Sequence, residues 1–410
     1  MQLPVAPMSR GSSVVVNIGG NAPPRKILTM HIVTIAPPWL PVPPPKYGGI
    51  ERVVCDLVEA SVSAGHRVTL FAPDGSNTSA ELIPTTDFSH GLDISEPEKV
   101  RVNQAAGERA YRIAQSLDAD IIHDHTDYMC ERPYPIPIVR TIHGPATEEA
   151  VYRYYAMSLD GDQFIAISQR QRELFEEKAA AIFGPGTHIR FAGVVHNPID
   201  VLNTPFYSAA EKSGYAAFVG RCHWEKGPTV AINVARMSGI PMKMAMRVSK
   251  VEQLYFDHMV KPLLDANKEL VELVGELGGQ QRSELYGRAR ALVFSSVWHE
   301  PFGLTIVEAL AHGTPVVALR RGSAPEIILD GVTGALCENE QEMAEALPWV
   351  MKLDPAICRA HAMTHFERSI ITTQYLQLYL RVCADKAKVL PIRLGIPSVQ
   401  PIPIAIPISA

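Results

Sequence analysis

The chain has 410 residues, 47% of them hydrophobic and 20% charged, with a formal net charge of -5. That length asks for two α/β cores rather than one, the composition excludes a disordered or fibrous class, and the mild negative charge argues against a nucleic-acid partner, which would need a basic face. Six cysteines (Cys55, Cys130, Cys222, Cys337, Cys358, Cys383) with no C-x-x-C spacing read as reduced thiols, not as a disulfide framework or zinc site. No run of 18 apolar residues is present to span a membrane. The first residues lack the charged start and apolar block of a secretion signal, so the expected location is cytoplasmic.

Residues 1–24, rich in Pro, Gly, Ser and Asn, are expected to be a disordered extension. From Lys26 to Ile35 a short apolar, β-branched run reads as a buried parallel strand. A Pro-dense loop follows. Then comes a helix with Ile50, Val53, Val54, Leu57, Val58 and Val62 on one stripe, stopped at Gly65. His66–Ala72 is the next strand. The alternation continues through a helix over Val102–Leu117, strands at 121–125, 137–143 and 163–168, a helix over Gln169–Phe183 and a strand at 188–195. Alternation of this kind predicts a doubly wound parallel sheet. The rhythm breaks in 196–214, and the interdomain linker is placed at 201–214, after a first domain of 25–200.

A second series occupies 215–365. Its strands are expected at 215–221, 241–248, 269–275, 291–297 and 315–319, and its helices over Gly227–Met237, Val251–Ala266, Gln280–Arg290 and Phe302–His312. Helical segments run from about Glu340 to Lys386, with 366–388 read as a closing helix. The tail 389–410 alternates proline with aliphatics and cannot be helical.

In doubly wound sheets, ligands bind beyond the carboxyl ends of strands, where loops open onto helix N-termini. Gly48 and Gly49 precede a helix whose free amides attract an anion. No G-x-G-x-x-G stands there, which weakens a nicotinamide or flavin reading. His143 ends a strand facing the crevice, where it can bond a sugar hydroxyl or a charged transition state. His123, Asp124 and His125 follow the preceding strand; packing and loop hydrogen bonds account for them better than a metal site, for which no further ligands are evident. Arg221 and Lys226, between a buried strand and a helix and flanked by Gly220 and Gly227, suit a diphosphate.

The stretch WHEPFGLTIVEALAHGTPV is the most informative. Glu300 precedes a helix and Glu308 lies two turns inside it. If most of that span is helical, the two are roughly 12 Å apart along the axis, too far for an acid/base dyad, which needs about 5–9.5 Å. Gly303, Leu304 and Thr305 offer the unpaired amides of a first turn. A buried Glu308 among Leu304, Val307, Leu310 and Ala311 needs partners, and ribose hydroxyls are the expected ones.

These segments resemble glycosyltransferase family four, the retaining enzymes of the GT-B fold, over about residues 26–385. The resemblance rests on PPPKYGGIERVVCDLVEASVSAGHRVTLFA, TIHGP, FVGRCHWEKG and, above all, EPFGLTIVEALAHGTPVVALRRGSAPEIILDGVTG, with its Glu-x7-Glu spacing. It implies two Rossmann-like domains facing a cleft, a nucleotide diphosphate sugar as donor substrate, no other cofactor and no metal. It also implies the site. Glu300 contacts the transferred sugar and Glu308 the ribose. The amides of Gly303, Leu304 and Thr305 hold the phosphate, Phe302 contacts the donor, and Arg221 and Lys226 neutralise the leaving group. His143 holds the donor sugar, while Gly48 and Gly49 let the first domain approach the diphosphate and acceptor. The C-terminal helix crosses back to the first domain.

The chain departs from the family at Arg247, Val248, Ser249 and Lys250, which stand where many members have a glycine-rich loop. Arg247 or Lys250 is expected to add a phosphate or base contact. The acceptor is a carbohydrate, lipid or small molecule, its side of the cleft shaped by 37–45 and 144–160. A nucleotide-sugar epimerase or hydrolase of similar architecture, or a non-catalytic sugar-binding protein, is the alternative.

Overall fold

A computed structural model describes residues 29–91, 93–131 and 134–389. The expected N-terminal extension and most of the proline-rich tail lie outside these residues, as do the first residues of the opening strand.

The first half carries β1 (His31–Ile35), α1 (Gly49–Ser63), β2 (Arg67–Ala72), β3 (Glu81–Pro84), α2 (Glu96–Ala114), β4 (Ile121–Asp124), β5 (Ile138–Ile142), α3 (Glu148–Leu159), β6 (Gln163–Ala166), α4 (Gln169–Phe183) and β7 (Phe191–Val194). Its seven strands lie in the order β3-β2-β1-β4-β5-β6-β7, and all are parallel. The second half carries β8 (Ala216–Arg221), α5 (Pro228–Ser238), β9 (Met242–Arg247), α6 (Gln253–Tyr255), α7 (Lys261–Ala266), β10 (Val271–Gly275), α8 (Gly279–Arg288), β11 (Ala291–Phe294), α9 (Leu304–Ala311), β12 (Val316–Leu319), α10 (Ala324–Ile327) and β13 (Gly334–Cys337). Its order is β10-β9-β8-β11-β12-β13, again parallel throughout. Each order reverses once, between β1 and β4 and between β8 and β11. Crevices form at such reversals, beyond the strands' carboxyl ends.

Three helices complete the chain: α11 (Glu340–Val350), α12 (Pro355–Phe366) and α13 (Arg368–Val389). α13 packs on the first sheet. Ile371, Tyr375, Leu378, Tyr379 and Val382 are buried against Ile32, Leu57, Ile121, Val139 and Ile165.

Several boundaries differ from the sequence reading. α2 begins at Glu96, six residues early, because Pro97 sits in its first turn, where a missing N–H does no harm. α3 occupies most of the stretch read as an acceptor-side segment; Thr147 Oγ1 caps it by accepting from the amide of Ala150. The run expected from Val251 begins at Gln253 and passes through a π turn at Phe256–Val260. The helical stretch from Glu340 is three helices, broken before Pro355 and at Glu367. The expected strand at 188–195 shrinks to Phe191–Val194. The short strands β3 and β13, at the edges of their sheets, were not anticipated.

Polar contacts also tie the halves together away from the crevice. Glu326, in α10, accepts the amides of Gln169 and Arg170 at 2.8 Å each, capping α4 of the other half. Arg368 lies 3.0 Å from Asp200.

Candidate functional site

The two sheets face each other across a cleft of about 400 Å³. Gly48, Gly49, His143, Arg221, Lys226, Arg247, Glu300, Phe302, Gly303, Leu304, Thr305 and Glu308 all line it, so every site residue expected from sequence converges on one place. Lys250 is exposed and does not line it.

On the second domain's side, β8 ends at Arg221 and a 3-10 turn over Trp224–Lys226 follows. Gly227 closes that turn with φ +63, and a Cβ there would lie 2.1 Å from the carbonyl oxygen of Ser295. The tight turn aims the Lys226 ammonium at Glu300, Nζ to Oε2 being 2.5 Å. The same Glu300 oxygen accepts from Trp298 Nε1 at 2.9 Å and from Ser296 Oγ at 3.3 Å. Arg221 donates to Glu252 from Nη1 at 3.3 Å, while its Nε is buried without a partner among the described residues. Arg247 reaches Asp93 of the first domain at 2.9 Å and lies over the Tyr47 ring.

α9 begins one residue after its Gly303 cap, which has φ +83; no side chain bonds the first-turn amides. A Cβ at Gly303 would crowd Ile306 and Phe294 as well. Glu300 therefore precedes the helix by a non-helical turn, so the span between the two glutamates is only partly helical. Ile306, Val307, Ala309 and Leu310 are buried beside Glu308.

Glu308 already has partners within the protein. Tyr286 donates to Oε2 at 2.8 Å; Arg282 and Arg52 lie 3.3 and 3.7 Å from Oε1. Burial alone raises its pKa, but Arg282 and Arg52, with the Tyr286 hydroxyl, outweigh it and hold the carboxyl below its ordinary value. Arg52 comes from α1 of the first domain.

On that first side, Gly48 has φ +149, and a Cβ would clash with Pro44 at 2.6 Å, so the Pro-dense loop folds tightly against the start of α1. A Cβ on Gly49 would approach Leu304 at 3.2 Å: the N-termini of α1 and α9 nearly touch across the cleft. His143, just past β5, meets His125 through an Nε2···Nδ1 contact of 2.9 Å. His123 bonds Thr141 at 2.7 Å and Tyr379 of α13 at 2.6 Å. Burial pushes His123 and His143 down to about 3 and His125 well below the usual range, so all three are neutral. Asp124 is bound by the Tyr111 hydroxyl and the Arg140 guanidinium, which also holds Asp162. Among the described residues, no group of three or more His, Cys, Asp or Glu is placed to hold a metal ion.

Sequence reasoning missed Arg52, Arg282, Tyr286, Trp298, Asn197 and Glu51. The first carried a usable signal, standing in the first turn after the Gly48-Gly49 pair. Glu51 lines the cleft yet is buried, and that burial pushes it up to about 7. Arg282 and Tyr286 are four apart on α8 and so share a face, but nothing local says that the face meets α9.

The family models match in sequence along most of the chain: "Glycosyltransferase Family 4" over residues 47–201 and "Glycosyl transferases group 1" over 203–364. The chain belongs to the family-four glycosyltransferases. This glycosyltransferase is similar to a glycogen synthase of Mycobacterium tuberculosis, 26% identical over 392 residues that cover 82% of this chain and 92% of the relative. It is also similar to a D-inositol 3-phosphate glycosyltransferase of Mycolicibacterium smegmatis, 25% identical, covering 88% and 92%. Among solved structures it matches AviGT4, a glycosyltransferase involved in avilamycin A biosynthesis, with TM-score 0.62 at 23% identity over 87% of this chain and 98% of the other. It matches the catalytic domain of starch synthase IV from Arabidopsis thaliana with TM-score 0.67 at 15% identity, over 87% and 100%. The fold is the two-domain GT-B arrangement. An epimerase, hydrolase or non-catalytic sugar-binding protein gives way to a glycosyltransferase. No described helix is long and apolar enough to cross a membrane.

Proposed function

We propose that this glycosyltransferase moves a sugar from a nucleotide diphosphate donor to an acceptor hydroxyl, with retention at the anomeric carbon and without a metal ion. The observation that carries the reading is the convergence of Arg221, Lys226 and the uncapped first turn of α9 on one wall of the cleft. Cleavage of the sugar–phosphate bond builds negative charge on the diphosphate. Fixed cations and amides aimed at that charge lower the barrier without rearranging. Lys226 carries three ammonium protons, so the bond to Glu300 leaves two for phosphate oxygens. Arg221 and Lys226 thereby supply the charge that a divalent ion supplies in other transferases.

Glu308 is the ribose contact in this reading. An ionised carboxylate has about four acceptor positions; Tyr286 takes one at 2.8 Å and Arg282 approaches another at 3.3 Å, while Arg52 at 3.7 Å is too far for a full bond. Room remains for ribose hydroxyls. Glu300 and His143 face the sugar, and the acceptor hydroxyl attacks from the leaving-group side, its proton passing to a phosphate oxygen of the departing diphosphate. The acceptor is placed on the first domain's side, near the loop 37–45. The named activities of the relatives, glycogen synthesis and inositol phosphate glycosylation, agree with a hydroxyl acceptor.

A thermal-shift screen of UDP, GDP, ADP and TDP sugars with EDTA present tests the donor class. One donor is expected to stabilise the protein, and NMR of the product is expected to show the donor's anomeric configuration retained. Turnover that requires added metal, or an inverted product, overturns the corresponding part of the reading.

A further inference from the structure

The two ring nitrogens of His125 have unlike surroundings. Nδ1 lies 2.9 Å from Nε2 of His143, the ring planes 23° apart and the centroids separated by 5.2 Å. Nε2 is sealed in the interior with no hydrogen-bond partner among the described residues. His143 is the reverse: Nε2 is engaged by His125, while Nδ1 bonds no described group, is not among the buried unpaired atoms, and belongs to a residue that lines the cleft.

A neutral imidazole carries one proton, so a bond between these rings has only two arrangements. If His143 donates, His125 must hold its proton on Nε2, a buried N–H with nothing to receive it. If His125 donates from Nδ1, its Nε2 keeps only a lone pair. Buried orphan donors are the rarer and costlier case, so the second arrangement is favoured. Protonation of either ring is opposed by burial. The His125 ring is also held in place: His123 lies against it with centroids 4.0 Å apart, and His123 is fixed at both nitrogens by Thr141 and by Tyr379 of α13.

We infer that His125 is a positioning residue that fixes His143 as its Nδ1–H tautomer, so the cleft receives a neutral hydrogen-bond donor instead of a base or a cation. Such a donor recognises an oxygen of the transferred sugar, a consequence that rests on the donor reading above. The tautomer itself does not depend on that reading.

Two-bond proton–nitrogen NMR on the full chain labelled with ¹⁵N-histidine reads the tautomer directly, the His143 signals being assigned by their loss in His143→Gln. The expected spectrum near neutral pH has a pyrrole-type Nδ1 and a pyridine-type Nε2 at His143. The opposite pattern overturns the inference, whatever any variant does. In His125→Leu the His143 proton is expected to move toward Nε2, with kcat/KM down about tenfold, the equivalent of one hydrogen bond. His125→Asn, whose amide places an N–H close to the imidazole Nδ1, is expected to restore both. An unchanged tautomer in His125→Leu also overturns the proposal. Should His143→Ala leave donor KM and kcat intact, the sugar contact falls while the tautomer assignment stands.

Discussion

The two walls of the cleft are built on different electrostatic plans. The second domain presents paired side chains of opposite charge, Lys226 with Glu300 and Arg282 with Glu308. The first domain presents glycines, a neutral histidine backed by two others, a carboxyl, Glu51, whose burial brings its titration to about 7, and a single cation, Arg52, that reaches across toward Glu308. Fixed ions suit a ligand that is always charged. Neutral donors and acceptors suit hydroxyls, which exchange hydrogen bonds without a change in charge. On the proposed reading, the charged wall meets the diphosphate and, through Glu300, one side of the sugar, while His143 meets the sugar from the other wall.

The severest challenge to this division is Lys226→Ala. Loss of a preorganised cation facing the leaving group is expected to lower kcat by about 10²–10³-fold; near-normal steady-state turnover would remove the charged wall's role. Next is Glu51→Gln. The folded pKa lies above the unfolded one, so the wild-type protein loses stability as pH rises from about 4.5 through about 7. The variant escapes this and is expected to be more stable by up to about 3 kcal/mol at pH 8, with no difference at pH 4. Melting curves at the two pH values check it, and an equal effect at both would show that folding leaves the titration of Glu51 unchanged.

Glu308→Ala is expected to weaken nucleoside diphosphate binding about tenfold or somewhat more, the worth of hydrogen bonds to a charged group, with calorimetry as the measure. Unchanged affinity would confine Glu308 to holding Arg52 and Arg282. The smallest effect belongs to Arg247→Ala. Its bridge to the half-exposed Asp93 is worth less than about 1 kcal/mol, so unfolding should barely change. A large loss of donor affinity in this variant would show that the guanidinium reaches the diphosphate.

How legible this was in the sequence depended on how local the signal is. The strands that end at Arg221 and His143, and the helix carrying Glu308, announce themselves through apolar runs and periodicity within a dozen residues. The glycines at 48 and 303 mark turns by their own chemistry. The edge strands β3 and β13 have four residues each and little apolar pattern of their own, because they are set by the neighbours they pair with. Glu308 shows the limit most clearly. Its burial could be read from the apolar residues around it, but its cations come from α1 and α8, hundreds and tens of residues away in the chain, and only the fold brings them together. The histidine pair had the same fate, since His125 and His143 meet only because β4 and β5 are adjacent.

The cap that Glu326 places on α4 constrains how the molecule can breathe. Prising the domains apart at that point would strip two amides of a carboxylate that satisfies both and bare the positive end of the helix. A swing pivoting through the same point leaves the bonds whole while the far lips of the crevice part. If the crevice opens, Glu326 is the expected fulcrum: labels placed beside it should hold their spacing while a pair set across Asp93 and Arg247 moves.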